Sequence, residues 1–244
     1  MVVTSLDNSK VKKYRKLQKR KYRDQYGEYI VEGLHLILEA FRAGVLEELI
    51  LEEGTDVPVS CPYTYFSSEV MSKISMMDTP STIMGLCRKA KDDAVIGNRI
   101  LILDGIQDPG NLGTIIRSAV AFDVDTIVLS ERTVDLYNPK VLRATQGMFF
   151  HVRVVSKLAL EVISMLQNLD IPIYGTSVVN GVDVRSLDES EKKNFALVVG
   201  NEGNGVRDEI LSVCNKNLYI EMNKNVESLN VAIAASILLY ELGR

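Results

Sequence analysis

The sequence predicts an α/β protein with a small N-terminal unit and a larger C-terminal unit built on a mainly parallel sheet. Short apolar runs of strand length alternate with helix-length segments along most of the 244 residues. In the C-terminal part the strand-like runs are apolar at almost every position, which is typical of parallel strands covered by helices on both faces. The chain is also longer than a typical single domain, so two domains are expected.

The N-terminal unit is predicted to span residues 1–90. Its elements are a strand at 28–33, a helix at 34–44 ending at Gly44, a strand at 46–53, the helix "SSEVMSKISMM", and a strand at 81–90. The polar stretch "KDDAVIGN" at 91–98 is interpreted as a linker.

The C-terminal unit is predicted to span residues 99–244. Its strand-like runs are "RILILD" (99–104), "TIVLS" (126–130), "HVRVV" (151–155), "IPIYGTS" (171–177), "FALVVG" (195–200) and "NLYIEM" (217–222). Ligands of such sheets bind beyond the carboxyl ends of the strands, so the loops that follow these runs are where functional residues are expected.

Composition argues against several classes of protein. The longest apolar run, "VAIAASILLY" at 231–240, is about half of the roughly 20 residues that a membrane span needs, and the N-terminus is polar and basic. We therefore expect a cytoplasmic protein without a membrane partner. Three scattered cysteines indicate neither disulfides nor a CxxC site. His35 and His151 lack metal-ligand spacing, so no metal is expected.

Charge is distributed unevenly along the chain. Residues 1–23 carry a net charge of +8, so the remainder must carry −12 for the whole chain to reach −4. Such a balance is typical of a protein that docks on a polyanion, and Tyr14 and Tyr22 lie among the cations, where they could stack on unpaired bases. The alternative is a merely solvated helix face. The predicted RNA-binding residues are Lys10, Lys12, Lys13, Arg15, Lys16, Lys19, Arg20, Lys21 and Arg23.

The first notable loop is "DGIQDPGNLGTIIR" at 104–117. It leaves a strand, turns through Pro109-Gly110 and enters a helix, with Asn111 predicted as the N-cap. Helical side chains lean toward the N-terminus, so Arg117 would lie back over Gly113 and reach the mouth of the loop. A functional arginine is favoured over a surface one.

The second loop, "VVGNEGNGV" at 198–206, has glycines at 200, 203 and 205. This G-x-x-G-x-G spacing differs from the G-x-G-x-x-G dinucleotide fingerprint and lacks the Lys-Ser/Thr of a P-loop, so phosphate is not the favoured ligand. Glycines let the backbone approach a ligand closely and offer N–H and C=O groups to an adenine or amino-acid moiety. A plain strand-to-helix turn is the alternative.

The third segment is "MNKNVESLNVAIAASILLYEL" at 222–242. A polar loop ends in Ser228-Leu229-Asn230 and leads into a helix that is apolar on nearly every face. Such a helix is expected to be buried all round, either in a subunit interface or within one chain, and periodicity alone does not decide between these.

Together, "DPGNLGTIIRSA", "VVGNEGNGV" and "VESLNVAIAASILLYE" resemble the three motifs of the SpoU (TrmH-like) family of SPOUT-class RNA 2′-O-ribose methyltransferases, in the family's order. The N-terminal unit is also similar, more loosely, to the ribosomal-protein-L30e-like domain with which many of these enzymes grip RNA. The resemblance implies a deep C-terminal trefoil knot and a homodimer packed through the helices that follow the first and third motifs.

The resemblance also implies an S-adenosylmethionine site and a set of catalytic residues. The implied cofactor-binding residues are Val199, Gly200, Asn201, Gly203, Gly205, Ile220, Met222, Ser228 and Leu229. The implied catalytic residues are Arg117, Asn111, Glu202, Ser228 and Asn230. Two departures from the third motif, Glu221 for a proline and Lys224 for a glycine, predict a differently shaped loop beside the cofactor.

The resemblance assigns activation of the ribose hydroxyl to Arg117. An arginine is essentially always protonated, so we favour a clamp on the target nucleotide's phosphate that stabilises developing alkoxide charge, with the phosphate or a water taking the proton. Ribosomal RNA is the favoured substrate and transfer RNA an alternative. A non-catalytic RNA-binding or ribosome-assembly factor is the rival function, and a nicotinamide-dependent dehydrogenase is disfavoured by the absent fingerprint.

Overall fold

The computed structural model describes residues 2–90, 94–178 and 181–243. Its contacts divide the chain into two units, Met1–Lys91 with Asp135–Phe150, and Asp92–Val134 with His151–Arg244. The borders predicted from the sequence kept 99–244 together, whereas residues 135–150 pack with the first unit. Residues 91–93 of the predicted linker lie outside the described residues.

The first unit contains a mixed five-stranded sheet. Its strands are Val2–Val3 (β1), Glu28–Glu32 (β2), Leu46–Glu52 (β3), Tyr63–Phe66 (β4) and Ile83–Arg88 (β5), in the order β1-β4-β3-β5-β2. Its helices are Ser9–Leu17 (α1), Arg20–Tyr26 (α2), Leu34–Arg42 (α3), Ser68–Ile74 (α4) and Pro139–Ala144 (α6), followed by a 3₁₀ turn at Met148–Phe150. β2 and β3 are antiparallel to β5, while β4 is parallel to both β1 and β3.

The basic N-terminal segment is folded into this unit. Asn8 caps α1 by accepting a hydrogen bond from the backbone N–H of Lys10. Val11, Tyr14 and Leu17 recur every three residues, so they share one face of α1, and all three are buried in the same core cluster as Phe66. The segment is therefore part of the hydrophobic core of the first unit and not a detached arm.

The second unit contains a seven-stranded sheet in which every pairing is parallel. Its strands are Arg99–Asp104 (β6), Thr126–Leu129 (β7), Arg153–Ser156 (β8), Ile173–Thr176 (β9), Val182–Asp183 (β10), Phe195–Gly200 (β11) and Lys216–Tyr219 (β12). Its helices are Pro109–Ala121 (α5), Ala159–Gln167 (α7), Glu189–Lys193 (α8), Asp208–Leu211 (α9) and Val231–Leu242 (α10), with a 3₁₀ turn at Val184–Ser186.

The strand order β10-β12-β9-β11-β6-β7-β8 creates a switch point beside β6. From β6 the chain adds β7 and β8 on one side, and later strands fill the other side, so the loops after β6 and β11 open next to each other. All six residues of β11 are buried and β6 is buried from Ile100 onward, as expected for central strands. The predicted α/β class with a parallel sheet is confirmed.

The last helix, α10, was predicted to be buried either in a subunit interface or within one chain, and the second alternative is excluded because the single chain does not bury the whole helix. Its buried side includes Ala235 and Leu239, and its Ser236 hydroxyl lies 2.6 Å from that of Ser118 on α5. Ile233 on the other side is 52% exposed, and Tyr240 is exposed too. Across the described ranges, no helix is both long and apolar enough to cross a bilayer.

Candidate active site

A cavity of about 440 Å³ lies at the carboxyl ends of β9, β11 and β12. Its walls come from 176–178, 199–206, 218–220 and Met222, from the loop that enters α10, and from side chains of α9 and α10. The nine residues predicted to bind a cofactor all line it: Val199, Gly200, Asn201, Gly203, Gly205, Ile220, Met222, Ser228 and Leu229. The cavity is thus where the strand-end rule placed a ligand site, and its volume is within the range of about 300–1,000 Å³ of small-molecule sites.

The glycine loop closes on itself through its backbone. Asn201 and Gly205 exchange two N–H···O bonds of 3.0 Å each. A Cβ on Gly200 would lie 2.0 Å from the carbonyl carbon of Gly205, so no larger residue fits there, and Gly205 itself has a φ of +69°. Gly203 differs, because a Cβ there would meet only the Asn201 side-chain oxygen, at 3.5 Å. Two of the three glycines are therefore required by the fold of the loop.

Glu202 joins this loop to the loop after β6. Its carboxylate accepts backbone hydrogen bonds from Gln107 at 3.3 Å and Asp108 at 3.2 Å, and an amide hydrogen bond from Asn111 at 3.0 Å. Burial raises the pKa of Glu202, but these hydrogen bonds outweigh it and hold the pKa below its ordinary value. Glu202 is therefore an ionised acceptor at neutral pH and a poor base for a ribose hydroxyl.

Asn111 was predicted to cap α5, and this is wrong. The N-cap is Asp108, whose side chain accepts a 2.8 Å hydrogen bond from the Asn111 backbone N–H, and Pro109 occupies the first position of the helix. The Asn111 side chain is thereby left for other partners. Its amide donates to Glu202, and its oxygen accepts a 3.0 Å hydrogen bond from Asn230.

Asn230 is the N-cap of α10. Its side-chain oxygen accepts from the backbone N–H groups of Ala232 at 2.9 Å and Ile233 at 3.3 Å. Its amide is the donor to Asn111, so Glu202, Asn111 and Asn230 form one chain of hydrogen bonds that joins all three predicted motifs. Ser228 lies on the cavity wall.

Arg117 has a different environment. It lies on α5 and is exposed, and among the residues that the structure describes it makes no hydrogen bond and no ion pair. Arg117 is on the same helix as Asn111 and has no polar partner of its own there, so its guanidinium is available to an anionic ligand.

Arg207 and Asp104 were missed by the sequence reasoning. The Asp104 side chain, at the end of β6, is only 2% exposed. It accepts hydrogen bonds from the Arg207 Nε at 2.9 and 3.1 Å and from the Arg207 backbone N–H at 3.1 Å, and it forms an ion pair with Nη2 at 2.8 Å. Arg207 Nη1 also contacts Glu131 at 3.1 Å, in the loop after β7. These bonds raise the pKa of Arg207 further. Arg207 therefore ties together the loops that follow β6, β7 and β11.

Cavity residues at 176–178 and Tyr219 were also missed. A signal for them existed, since 176–178 directly follow β9 and the strand-end rule applies to that strand as well. Glu221, which stands where the third motif usually has a proline, has a partner in the structure. Its carboxylate pairs with Arg185, which also pairs with Asp183. Nothing in the structure explains Lys224.

The nine predicted RNA-binding cations fall into two groups. Five have carboxylate partners within the chain: Lys10 with Glu48, Lys12 with Asp7, Lys13 with Glu28, Arg20 with Asp24, and Arg23 with Asp135. Arg23 is 5% exposed, so it is removed from any RNA-binding surface. Tyr14 cannot stack on a base either, because it is buried and its hydroxyl donates to Glu48 at 2.9 Å. The remaining cations are Arg15, Lys16, Lys19 and Lys21.

Comparison with known proteins gives the family. Residues 98–240 match the model of the SpoU rRNA methylase family, and residues 8–85 match the MRM3-like substrate-binding domain. The chain belongs to the SpoU rRNA methylase family. A Bacillus subtilis relative, 23S rRNA (guanosine(2553)-2′-O)-methyltransferase RlmP, is 36% identical, with 98% of each chain covered.

Solved structures agree with membership of the SpoU family. A TrmH-family RNA methyltransferase of Porphyromonas gingivalis, described as putative, superposes with a TM-score of 0.87 at 29% identity, covering 98% of both chains. An AdoMet-bound rRNA methyltransferase of Sinorhizobium meliloti superposes with a TM-score of 0.86 at 28% identity, covering 99% of this chain and 97% of that one. Both likenesses extend over the two units.

Proposed function

We propose that this chain methylates a ribose 2′-hydroxyl of 23S ribosomal RNA, and that the cavity beside the glycine loop holds the donor S-adenosylmethionine. Family membership and the full-length relative make the chain an S-adenosylmethionine-dependent RNA 2′-O-ribose methyltransferase. The observation that carries the placement of the donor is the lining of the cavity by all nine predicted residues. The assignment to 23S RNA rests on the RlmP relative.

The residues of the cavity fit such a donor. Apolar side chains from Ile220, Met222, Leu229 and Leu238 offer a surface for an adenine ring. Within the loop, the backbone N–H groups of Asn201, Gly203, Asn204 and Gly205 already have partners, so we assign the edge of the adenine to the remaining main-chain groups of 199–206. When bound there, the donor supplies the electrophilic methyl group.

The polar network then acts on the nucleotide that accepts the methyl group. A ribose hydroxyl must be aligned in line with the methyl group and relieved of its proton. We assign to Arg117 the binding of the nucleotide's phosphate and the stabilisation of charge that develops on the 2′-oxygen. Glu202, Asn111 and Asn230 hold the loops in register, and Ser228 lies where it can contact donor or ribose. The proton passes to the phosphate or to water, since Glu202 is already saturated with donors.

Two features of the architecture belong to this proposal. The first is a C-terminal trefoil knot, supported by the family and by the return of the chain after β12 to pack α10 on α5. The second is a homodimer, supported by the apolar side chains Ile233, Ile237 and Tyr240, which follow one face of α10 and are exposed or half-buried in the single chain.

The first unit and the location in the cell complete the proposal. We assign an L30e-like RNA-binding role to the first unit, because residues 8–85 match a substrate-binding domain. We place the protein in the cytoplasm, where ribosomal RNA is available. The four cations without carboxylate partners, Arg15, Lys16, Lys19 and Lys21, are the expected contacts to phosphates.

The test is a map of ribose methylation in ribosomal and transfer RNA from cells with and without this chain. We expect one 2′-O-methyl group in 23S RNA to disappear, at the guanosine equivalent to that modified by RlmP, and to return when the parent protein is supplied. An unchanged map, together with no donor binding by calorimetry in the presence or absence of RNA, would favour the non-catalytic ribosome-assembly factor instead.

A further inference from the structure

The turn between α1 and α2 concentrates the cations that have no carboxylate partner. We call residues 15–26 the α1–α2 corner. Arg15, Lys16, Lys19 and Lys21 are all exposed, and within the described residues none of their side chains makes a hydrogen bond or ion pair. The other five cations of residues 1–23, including Arg20 and Arg23 within the corner itself, pair with carboxylates. The cations without a carboxylate partner in this segment are therefore all found in the corner.

Two tyrosines lie among these cations. Tyr22 and Tyr26, one turn apart on α2, are stacked with ring centroids 6.3 Å apart and an interplanar angle of 18°. The ammonium groups of Lys16 and Lys21 lie 5.6 and 5.9 Å from the centre of the Tyr22 ring. Tyr26 is 38% exposed, so its ring has area open to solvent.

A structural role alone does not account for this arrangement. An aromatic pair one turn apart stabilises an exposed helix only weakly, and it needs no surrounding cations. Four like charges so close together repel each other unless an anion neutralises them. The core of the first unit is closed by Val11, Tyr14 and Leu17 on the other face of α1, so the corner is free to bind a ligand.

We propose that the α1–α2 corner binds an unpaired nucleotide of the RNA substrate, with its base stacked on the Tyr22–Tyr26 pair and its flanking phosphates on the four cations. This inference rests on the proposed function for the presence of RNA, and it adds the kind of RNA. An unpaired base is required because the faces of bases inside a duplex are already stacked. Aromatic stacking and a cationic track are the two components of single-strand binding sites.

The experiment compares two RNA probes of one sequence, a 12-nucleotide single strand carrying 2-aminopurine and its duplex, titrated with the full chain. Tyr26→Leu and Tyr22→Leu should each weaken single-strand binding by about 5-fold to 150-fold, as expected for loss of one stacking contact of about 1–3 kcal/mol. Duplex binding should change little. Tyr26→Phe should keep most of the affinity because the ring face is retained.

One control variant and one measurement of salt dependence make the result specific. Tyr63→Leu removes another exposed tyrosine of the first unit, 51% exposed and in an edge contact with Tyr65, and it should leave both affinities unchanged. Lys16→Gln with Lys21→Gln should lower the dependence of log K on log salt by about 0.7 per phosphate contact on the single strand. Thermal unfolding of each variant checks that the first unit is still folded.

The inference is overturned if the leucine variants bind the single strand as the parent does, or lose single-strand and duplex affinity equally. Failure of the proposed function is read separately, from donor binding and methyl transfer by the parent protein. A parent that binds the single strand through Tyr26 but transfers no methyl group would refute the enzymatic assignment and leave the nucleotide site in place.

Discussion

Two arginines of the second unit, Arg207 and Arg117, lie in opposite environments. Arg207 makes three hydrogen bonds and an ion pair to a carboxylate that is 2% exposed, and it also contacts two glutamates. Arg117 is exposed and, within the described ranges, has no polar partner. A guanidinium that is saturated by its own chain cannot bind a ligand anion without losing those bonds, whereas one without partners can.

The two environments indicate two different roles, a structural one for Arg207 and a proposed catalytic one for Arg117. Arg207 holds the loops after β6, β7 and β11 together, and Glu202, Asn111 and Asn230 continue that framework toward α10. Arg117 contributes nothing to this framework. Substitutions at the two arginines should therefore affect different measured quantities, stability for one and turnover for the other.

Arg207→Ala should have the largest effect. It would leave the buried Asp104 carboxylate without its counter-charge, which typically costs about 3–5 kcal/mol of unfolding free energy. Adding Asp104→Asn to that variant should recover a large part of the loss, since the uncompensated charge is then removed. Denaturant unfolding of the single and double variants measures both values. Glu209→Gln, which alters only an exposed partner, is the control and should cost less than about 1 kcal/mol.

If Arg207→Ala were as stable as the parent protein, Arg207 would not stabilise the fold. The proposed difference between a structural Arg207 and a functional Arg117 would then be wrong. A double variant no more stable than Arg207→Ala would mean that the charge of Asp104 is not what destabilises the single variant.

Arg117→Ala should leave folding and donor binding nearly intact while slowing methyl transfer by a factor on the order of 10² to 10³, as when one preorganised transition-state contact is removed. Arg117→Lys should recover only a small part, because lysine cannot form the bidentate contact. Single-turnover transfer at saturating donor, across a pH series, is the measurement. Thr114→Ala, one turn earlier on the exposed side of α5, is the control.

An Arg117→Lys variant that matches the parent rate at every pH would refute the bidentate clamp. Full rate in Arg117→Ala would remove Arg117 from the catalytic residues altogether.

The strands were largely predictable from the sequence because burial leaves a pattern. The runs at 99–104 and 195–200 coincide with β6 and β11 because every position of β11 and all but the first of β6 is buried, and among these positions Asp104 is the one that carries a charged side chain. β10 was missed because two residues carry no pattern. The N-cap of α5 was misplaced although Pro109 marked it, since proline favours the first helical position and so indicates Asp108 as the cap.

Contacts between residues that are far apart in the chain could not be predicted from the sequence. Asp104 and Arg207 are 103 positions apart, and only the neighbouring positions of β6 and β11 in the sheet bring them together. The charge of residues 1–23 was counted correctly, but the count could not reveal which cations have partners, because Glu28, Glu48 and Asp135 approach through tertiary structure. Family resemblance supplied the cavity residues, which periodicity alone would not have selected.

Within the glycine loop, Gly205 and Gly203 should differ in the same way, one required by the backbone conformation and the other not. Gly205→Ala introduces a side chain at φ +69°, which costs about 1 kcal/mol or more, and should weaken donor binding as the loop shifts. Gly203→Ala has room for its Cβ and should bind the donor almost as the parent does. Calorimetric titration with S-adenosylmethionine distinguishes the two, and equal losses in both variants would show that the conformation at Gly205 is not the limiting feature.

The smallest expected effect concerns Glu202 and pH. Its pKa is lowered in the folded chain, so its contribution to stability is fully present above the ordinary glutamate pKa of about 4.3 and is lost as the pH falls through the lowered value. Because Glu202 is exposed, we expect a contribution below about 1 kcal/mol. Glu202→Gln should therefore melt slightly below the parent at pH 7, and the two melting temperatures should converge toward pH 3.

Glu227→Gln, a charge change at another exposed glutamate of the second unit, should show no such convergence. If the melting temperature of Glu202→Gln stays below that of the parent by the same amount down to pH 3, the loss comes from altered hydrogen-bond geometry and not from the lost charge. Glu202 would then have a purely structural role, as Arg207 has.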